Sequence, residues 1–506
     1  MAPRRTDGVE RECEAVNPNL DRSEPRLVGG RWLAPVDGRA MEVLDPSDTR
    51  RIVARVPRMT AAEVIELYDV AAAAAPGWAG TSLVERGAVL ARTAVLLRER
   101  SARIVADLVA EMGKTLAEAS GEVGKAADFF EYYASWARQP YGQLLADARP
   151  GTETSVRAEA LGVVCLITPW NDPMITPARK CAPALISGNA VVLKPAGDTP
   201  LVALHLARAL QDAGLPDGVF GVALGRAGEI SGALLDDPRL AAVSFTGSTE
   251  VGRSIQRRLA GRNVRVQTEM GGKNATAVLA DADLALAVPT LAAAVFGQAG
   301  QRCTATSRIV ADRAVADEVI AGLVEHARGL RLGPGADPRT TMGPLVSARQ
   351  QTDVLGHIER ARSAGATIAV GGFAPRDGVY EHGCYVAPTV LTDVRPDMAI
   401  WREEVFGPVA AVRVVDGFDA AVEAVNDSVY GLAAGVFTTD LARAHEFARR
   451  AEAGQVAVNL PTPGWDVHLP FGGFGDSGSP FKEQGAEALR FYSRVKTVAI
   501  RFGAAR

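Results

Sequence analysis

The sequence predicts an α/β protein with buried, mostly parallel β-sheets, and three observations lead to that fold class. From Ala160 onward, short apolar runs alternate with helical segments, as they do in consecutive βαβ units. The runs themselves are almost wholly apolar, which is typical of strands covered by helices on both faces. A second region of the same alternation extends from about 271 to 460. The sequence therefore predicts two α/β layers.

Ahead of these layers, the chain is predicted to be helical. The first 25 or so residues are charged and contain proline, which predicts a loose arm. Helical apolar periodicity then dominates from Thr60 to Ser135. The spacing of Thr60 and Glu63, and of Ser82 and Glu85, is that of capping boxes, so a helix is predicted to begin after each.

The first α/β layer follows a predicted projection. Between Tyr141 and Glu159, the turn at 149–151 predicts a hairpin or a projecting arm. Thr199 and Pro200 are predicted to open an intervening helix as its cap and first-turn proline. The predicted strands are Leu161–Thr168, Ala190–Lys194, Val219–Ala223, Ala241–Phe245 and Val264–Thr268.

Composition excludes several classes of protein. Of 506 residues, 47% are hydrophobic and 23% are charged, which excludes wholesale disorder, a collagen-like fibre and a coiled-coil rod. A net charge of −4 gives no indication of a nucleic-acid or membrane-surface partner. Five cysteines without a CxxC pair indicate neither a disulfide framework nor a zinc site, so no metal is expected. Without an apolar run of about 18 residues or an apolar segment after Met1, the sequence predicts a cytoplasmic protein.

Polar or glycine-rich clusters follow four of the predicted strands. In open α/β sheets, ligands bind beyond the carboxyl ends of the strands. These clusters could therefore share one crevice. They are 169–173, Lys194-Pro195, 246–252 and 269–273.

Two of these clusters could hold phosphate or ribose. Gly247-Ser248 precedes a helix, where a close backbone and free amides favour an anion. Lys194 ends a strand and could bond ribose hydroxyls or phosphate. Taken alone, each has an ordinary alternative, because the first could be a plain βα turn and the second a solvated lysine.

Three further residues could carry chemistry. Glu269 follows a strand, and burial could make it a general base, although a helix-capping role is equally open. Cys303 lies in a Gly-, Gln- and Arg-rich segment rather than in an apparent core strand, and thiolate chemistry needs partial exposure. Cys165 and Cys181 are instead expected to be small buried hydrophobes. Asn171 could donate to an oxyanion, but an asparagine after a strand is often a turn former.

Taken together, the clusters resemble the NAD(P)-dependent aldehyde dehydrogenase superfamily over residues 27 to 497. Seven motifs in the same order carry this resemblance, and their number makes a chance match negligible. They are PWNDP at 169–173, KP at 194–195, FTGSTEVG at 245–252, EMGGK at 269–273, GQRCTA at 300–305, EEVFGPV at 403–409 and PFGGFGDSG at 470–478.

The resemblance implies two Rossmann-like parallel-sheet domains with a small β-arm. A dinucleotide-binding domain would comprise 1–140 and 161–270, and a catalytic domain 271–469. The arm at 141–160 and the tail at 470–506 would add strands to a partner subunit, which implies a homodimer or homotetramer.

The resemblance also implies a role for each matching residue. Cys303 would be the nucleophile, Asn171 the oxyanion donor and Glu269 the base that activates water to hydrolyse a Cys303 thioester. The implied cofactor contacts are Lys194 and Glu404 at the two riboses, Ser248 after Gly247 at the pyrophosphate, Gly271 beside the cofactor, and Trp170 and Phe406 packed against it. NAD is the expected cofactor, with NADP open, because Gly197 stands where many NAD-preferring members carry a glutamate, and Asp198 follows it.

The substrate mouth resembles that of semialdehyde dehydrogenases of the succinate and α-ketoglutaric type. Arg179 precedes Lys180 as in those enzymes, where the arginine meets the distal carboxylate of the substrate. Phe471 is expected at the same mouth. Asp172 replaces the usual phenylalanine and would repel such an acid, unless it pairs with Arg179 or attracts an amino-bearing aldehyde. A surface position for Arg179 is equally open.

These observations lead to one function and several alternatives. The expected reaction is oxidation of an aldehyde, a short semialdehyde in the leading hypothesis, to its carboxylic acid with NAD(P)+. Neutral, aromatic or amino-bearing aldehydes are alternative substrates. An inactive scaffold on the same fold is the alternative from another class.

Overall fold

The computed structural model describes residues 21–34, 38–140 and 142–502. Its fold is α/β, with two parallel-sheet layers and two hydrophobic cores, as the sequence predicts. One core gathers residues between Leu27 and Met270 together with C-terminal residues such as Ala488 and Phe491, and the other gathers residues between Ala275 and Ala453. In the described part of the chain, no helix is long and apolar enough to cross a membrane.

The predicted helical region is confirmed, and its capping boxes are formed. The Thr60 side chain accepts from the Glu63 backbone while Glu63 reaches back to the Thr60 backbone, and Ser82 and Glu85 do the same. Each such cap contributes about 1 kcal/mol to its helix. The helices are α1 (Ala61–Gly80), α2 (Leu83–Glu99), α3 (Ser101–Met112), α4 (Leu116–Ser135), α5 (Ile175–Ile186), α6 (Leu201–Asp212), α7 (Ala227–Leu235), α8 (Thr249–Leu259), α9 (Leu284–Phe296), α10 (Ala316–Gly329), α11 (Ala348–Ser363), α12 (Ala399–Arg402), α13 (Gly417–Asn426), α14 (Leu441–Arg450) and α15 (Gly485–Phe491).

Short strands precede the helices. They are β1 (Arg22–Ser23), β2 (Arg26–Val28), β3 (Arg31–Leu33), β4 (Ala40–Asp45) and β5 (Asp48–Pro57). The predicted loose arm at 1–25 falls mostly outside the described residues. Its described end is not loose, because β1 pairs with β5 and Arg22 donates to the buried Asp107 at 2.6 Å. That part of the prediction is wrong.

The first large sheet is parallel throughout and has the order β10-β9-β8-β11-β12. All five predicted strands are found, with ends shifted by no more than two residues. Their apolar side chains are buried because helices cover both faces. The strands are β8 (Val163–Ile167), β9 (Ala190–Lys194), β10 (Phe220–Val222), β11 (Leu240–Thr246) and β12 (Arg265–Glu269).

The prediction that Thr199 and Pro200 open a helix as cap and first-turn proline is wrong in its detail. Helix α6 begins at Leu201, and the buried Glu111 of α3 accepts from the Leu201 and Val202 amides at 2.8 and 3.1 Å. The Thr199 hydroxyl donates instead to the Trp170 carbonyl at 3.3 Å. A carboxylate from another helix therefore satisfies the free amides of this terminus.

The second large sheet is the predicted second layer, in the order β15-β16-β17-β14-β13-β19-β20. Its pairs are parallel except for the edge pair β15–β16, which is antiparallel. The strands are β13 (Ala275–Val278), β14 (Arg308–Asp312), β15 (Thr367–Val370), β16 (Thr389–Thr392), β17 (Val409–Val415), β19 (Ala433–Phe437) and β20 (Gln455–Val458), and a separate pair joins β18 (Tyr430–Gly431) to β21 (Phe474–Gly475).

The predicted hairpin is part of a small antiparallel sheet. It pairs β6 (Gly142–Leu145) with β7 (Thr152–Ala160), and β7 with the C-terminal β22 (Ser493–Arg501). Helix α15 anchors this tail, because Ala488 and Phe491 are buried in the first core.

Candidate active site

The carboxyl ends of four neighbouring strands bring the predicted clusters to one edge of the first sheet. Lys194, the last residue of β9, pairs with Ile167 at the end of β8. Phe245 pairs with the same Ile167, and Thr246 pairs with Glu269, the last residue of β12. The segments that follow these strands therefore lie side by side, as predicted.

The turn from β11 into α8 leaves a helix N-terminus exposed. Ser248 is the N-cap residue, and its hydroxyl accepts from the Val251 amide at 3.4 Å. Position 247 requires a glycine, since a Cβ there would lie 2.6 Å from the Phe245 ring. The remaining amides of the first turn can face an anion.

Lys194 is buried at the end of its strand and is not the solvated lysine of the alternative interpretation. It is 5% exposed, and its ammonium group donates to the Pro195 carbonyl at 2.5 Å. Burial lowers the pKa of Lys194 to about 8. The ammonium group at this edge of the sheet therefore loses its proton more easily than that of an ordinary lysine.

Glu404 packs against Gly271 and Gly272, the glycine pair that follows β12. Its Oε1 accepts from the Gly272 amide at 2.9 Å. A Cβ on Gly271 would lie 2.1 Å from Glu404 Oε2, so the carboxylate needs a glycine there. Burial raises the pKa of Glu404 to about 7, against the effect of the Gly272 hydrogen bond and the nearby Lys273 cation.

Trp170 and Phe406 meet although 236 positions separate them in the chain. Their rings are edge to face, with centroids 5.2 Å apart. Phe406 has a φ of 55°, a conformation that is strained for a bulky residue. The pair forms an aromatic wall between the turn after β8 and the segment that carries Glu404.

The segment before Cys303 has an unusual backbone. Gln298, Ala299 and Gly300 have φ values of 56°, 52° and 68°, three left-handed residues in succession. Each non-glycine residue in this region costs about 1–3 kcal/mol, so the surroundings must hold it. Gly300 is required, because a Cβ there would lie 2.1 Å from the Gly407 carbonyl oxygen.

Cys303 and Asn171 are linked through this segment. Cys303 is partly exposed, unlike the buried Cys165 and Cys181. The Asn171 amide is 5% exposed and donates to the Gln301 carbonyl at 3.0 Å. Burial raises the pKa of the Cys303 thiol to about 12, and the Arg179 cation acts in the opposite direction.

Glu269 is a buried carboxyl group with one oxygen occupied. It is 2% exposed, and Oε1 accepts from the Gln267 side-chain amide at 3.1 Å. Oε2 has no hydrogen-bond partner among the described residues. Burial, assisted by the like charge of Glu483, raises the pKa of Glu269 well above its usual value, against the cations of Lys180 and Lys482.

A chain of polar contacts leads from Glu269 into the core. Gln267 accepts from the Ser244 hydroxyl at 2.5 Å, and Ser244 accepts from the buried Lys180 ammonium at 2.7 Å. Lys180 is ion-paired with Glu483. The protonation state of Glu269 is thereby coupled to buried charges on α5 and on the C-terminal segment.

Arg179 is only partly exposed and is not a surface cation. Its guanidinium lies 4.6 Å from the centre of the Phe471 ring and 5.6 Å from that of Phe129. Its side chain is 14% exposed and lies 3.5 Å from Glu483. The Nε atom has no partner among the described residues, and the Arg179 cation acts electrostatically on the Cys303 thiol.

Asp172 pairs with Lys114 and not with Arg179. Its Oδ1 accepts from the Lys114 ammonium at 2.8 Å and from the Gln298 side-chain amide at 3.1 Å. Burial acts to raise the pKa of Asp172, but Lys114 and Arg302 outweigh it and lower the pKa to about 2. Of the two alternatives, the ion pair with Arg179 is not formed, because Asp172 is paired with the buried Lys114, which also pairs with Glu122.

The structure adds residues that sequence reasoning did not single out. Gln298 bonds both the Asn171 carbonyl and Asp172, and Glu483 lies between two cations. Gln267 lies two residues before Glu269 and on the same face of β12, which was a readable signal. No local pattern indicated Gln298, and none predicted that Glu483 would pair with Arg179 and Lys180. Among the described residues, no group of three His, Cys, Asp or Glu side chains could hold a metal.

Comparison with known families identifies the class of protein to which this fold and site belong. The model of the aldehyde dehydrogenase family matches residues 32–498. The chain therefore belongs to the aldehyde dehydrogenase family and is an enzyme that oxidises an aldehyde to a carboxylic acid.

Two curated relatives show which branch of the family the chain is similar to. The chain is 42% identical to an alpha-ketoglutarate semialdehyde dehydrogenase of Haloferax volcanii over 472 residues, which cover 93% of this chain and 98% of that protein. It is 34% identical to an alpha-ketoglutaric semialdehyde dehydrogenase of Bacillus subtilis over 475 residues, which cover 94% and 97%. The predicted resemblance to semialdehyde dehydrogenases is confirmed.

A solved structure confirms the fold class. Betaine aldehyde dehydrogenase of Staphylococcus aureus, in complex with NAD+, superposes with a TM-score of 0.93 at 29% identity, covering 98% of each chain. At the level of the family, the prediction of a nicotinamide dinucleotide as the oxidant is also confirmed.

Proposed function

We propose that this enzyme oxidises a short semialdehyde whose far end carries a carboxylate, and releases the corresponding diacid. This substrate class is supported by Arg179, whose side chain is 14% exposed. Its Nε lacks a partner among the described residues, and its charge acts on the Cys303 thiol. Because Asp172 is ion-paired with Lys114, that carboxylate repels an anionic substrate less than the sequence suggests. The names of the Haloferax and Bacillus relatives support the same class.

In the proposed mechanism, Cys303 is the nucleophile. Its thiolate attacks the aldehyde carbon and forms a thiohemiacetal, whose oxyanion accepts from the Asn171 amide and the Cys303 backbone N–H. Support comes from the partial exposure of Cys303 and from the burial of Asn171 beside the same segment. Burial raises the pKa of the thiol to about 12, so the thiol must lose its proton before it attacks.

Glu269 is the proposed proton acceptor of the second half of the reaction, the hydrolysis of the thioester. Oxidation leaves an acyl group on the sulfur of Cys303, and Glu269 removes a proton from water, which attacks the thioester and releases the acid. One aldehyde, one water and one oxidised cofactor thus give one acid, one reduced cofactor and one proton. The raised pKa and the unpartnered Oε2 of Glu269 support this role.

The crevice at the strand ends has groups that fit a nicotinamide dinucleotide. Ser248 would lie at the pyrophosphate, and Lys194 and Glu404 at the two riboses, with Glu404 on the nicotinamide side. Gly271 leaves the space that Glu404 uses. Trp170 and Phe406 would pack against the cofactor. When bound, the nicotinamide supplies the acceptor for the hydrogen and two electrons that leave the aldehyde carbon.

NAD+ is the proposed preference, with NADP+ second. Gly197 and Asp198 are exposed near Lys194. Gly197 supplies no cation, and the Asp198 carboxylate would oppose a 2′-phosphate. Initial rates with each cofactor at equal concentration test this preference directly.

The substrate class is tested by turnover of matched aldehydes. We expect kcat/KM for succinate semialdehyde to exceed that for butanal, and Arg179→Leu to lower the former by about 10- to 100-fold, the value of a hydrogen bond to a charged group. Arg179→Lys is the matched control that keeps the charge. Equal rates on both aldehydes, unaffected by Arg179→Leu, would reject the carboxylate hypothesis, and a preference for benzaldehyde or 4-aminobutanal would favour the alternatives.

The assembly and domain division are also proposed. The dinucleotide-binding part would comprise 1–140 and 161–270, the catalytic part 271–469, and the arm and tail would be 141–160 and 470–506. The exposed apolar side chains of Leu144 and Val495 on the small sheet support a homodimer or homotetramer. The net charge of −4 supports the proposed lack of a nucleic-acid partner. A cytoplasmic location is a further proposal.

A further inference from the structure

The side chain of Gln298 joins the two segments that meet at the active site. Its Nε2 donates to the Asn171 carbonyl at 2.5 Å and to Asp172 Oδ1 at 3.1 Å. Its Oε1 accepts from Arg302 Nε at 2.7 Å, immediately before Cys303. One amide therefore connects the segment of Asn171 to that of Cys303.

Gln298 needs these contacts because its backbone is left-handed. Its φ of 56° is followed by two further left-handed residues before the turn to Cys303. The backbone N–H of Gln298 is also fixed, since it donates to the Glu118 carboxylate at 2.6 Å. Strain of this kind persists only where the surrounding structure fixes it.

Asp172 is itself fixed by a buried set of charges. Lys114 donates to it at 2.8 Å and is ion-paired with Glu122. Glu122 Oε1 accepts from the Met174 and Ile175 amides at the start of α5, at 2.8 and 3.1 Å. Asp172 is therefore tied through Lys114 to helix α4 and to the start of α5, and it cannot move without breaking a buried ion pair.

We propose that Asp172 is a positioning residue for Cys303: it holds the Gln298 amide, and through it the left-handed segment that presents the thiol to Asn171. This inference rests on the proposed role of Cys303 as nucleophile. Asp172 also acts on the thiol by charge. The charged groups facing Asp172 are Lys114, Glu122, Arg302 and Arg179, and those facing Cys303 are Arg179, Asp172, Glu404 and Glu269.

The experiment follows the pH dependence of Cys303 alkylation by iodoacetamide in the full chain, located by peptide mass spectrometry. Asp172→Asn keeps an acceptor for Gln298 but removes a negative charge from beside the thiol. We expect the alkylation midpoint to move down by about one pH unit, with a smaller loss of kcat than Asp172→Leu shows. Asp237→Asn, which removes a buried carboxylate paired with Arg239 at 2.6 Å, is the matched control and should leave the midpoint unchanged.

A double-mutant cycle tests the link through Gln298. Asp172→Leu and Gln298→Leu should each lower kcat by about tenfold or more, and the double variant should be little worse than either, because both remove one connection. Additive losses would overturn the proposal, as would an alkylation midpoint unmoved in Asp172→Asn. A defect of Asp172→Asn confined to KM for 4-aminobutanal would also overturn it, since Asp172 would then contact substrate.

Cys303→Ala separates this inference from the proposed function. If that variant still oxidises aldehydes, the proposed mechanism fails. If it is inactive while the Asp172 variants show an unmoved midpoint and additive losses, the positioning role alone fails.

Discussion

Gln267 Nε2 donates a hydrogen bond to Glu269 Oε1 at 3.1 Å, while the other oxygen of that carboxyl group has no partner among the described residues. The two side chains lie on the same face of β12 because they are two residues apart on one strand. The contact orients the carboxyl group and leaves Oε2 available to accept a proton.

Removing the carboxylate should separate the two halves of the reaction. Glu269→Gln keeps the size of the side chain but cannot take a proton from water. We expect a burst of about one reduced nicotinamide per active site, followed by a steady-state rate about 10²- to 10⁴-fold lower, the usual contribution of a general base. Stopped-flow absorbance of the reduced cofactor measures both phases. Loss of the burst together with the steady rate would place Glu269 in the first half of the reaction.

Removing the Lys482 charge should displace the acid limb of the pH–rate profile. Burial raises the pKa of Glu269, and the Lys482 cation opposes that shift. Lys482→Met should therefore raise the pKa of Glu269 further. The midpoint of the acid limb of the kcat profile should then move to higher pH, while kcat on the alkaline plateau changes little. Lys482→Arg keeps the charge and should retain the original profile. A displacement to lower pH would contradict the assignment of Glu269 as the base.

Gly271 offers a test of the contact with Glu404. In Gly271→Ala the new Cβ would lie 2.1 Å from Glu404 Oε2, so the carboxylate must move. We expect KM for NAD+ to rise by about tenfold, the effect of one hydrogen bond to a charged group. Gly121→Ala is the matched control, because nothing lies within 4 Å of its Cβ within helix α4. That control should gain about 0.5–1 kcal/mol of stability and keep its kinetics. An unchanged KM in Gly271→Ala would remove Glu404 from the cofactor site.

The small antiparallel sheet should control assembly. Leu144 and Val495 are 72% and 73% exposed in the single chain. Burying such side chains between subunits would contribute about 1.5–3 kcal/mol each, so Leu144→Lys and Val495→Lys should lower the oligomeric state seen by light scattering after gel filtration. Val429→Lys, at a site 65% exposed on another surface, is the control. An assembly unaffected by both arm variants would exclude the arm as the interface.

The sequence by itself determined the elements and the edge of the sheet at which the site lies. The capping boxes at Thr60 and Ser82, the five apolar runs of the first sheet and the clusters after them were readable because short-range rules set them. A helix cap depends on residues three apart, and a parallel strand depends on its own apolar side chains. Register then follows from burial, so the clusters had to meet at one edge.

Tertiary structure alone decided which charges are paired. Asp172 accepts from Lys114, 58 positions away, and Lys180 pairs with Glu483, 303 positions away. Glu111 caps a helix that begins 90 positions later. Chain spacing carries no signal for such partners, because the interaction depends on distance and burial after folding. For that reason the sequence supplied the chemical groups of the site, and only the packed structure determined the charge on Asp172, the aromatic packing of Arg179 and the contacts that hold the Cys303 segment.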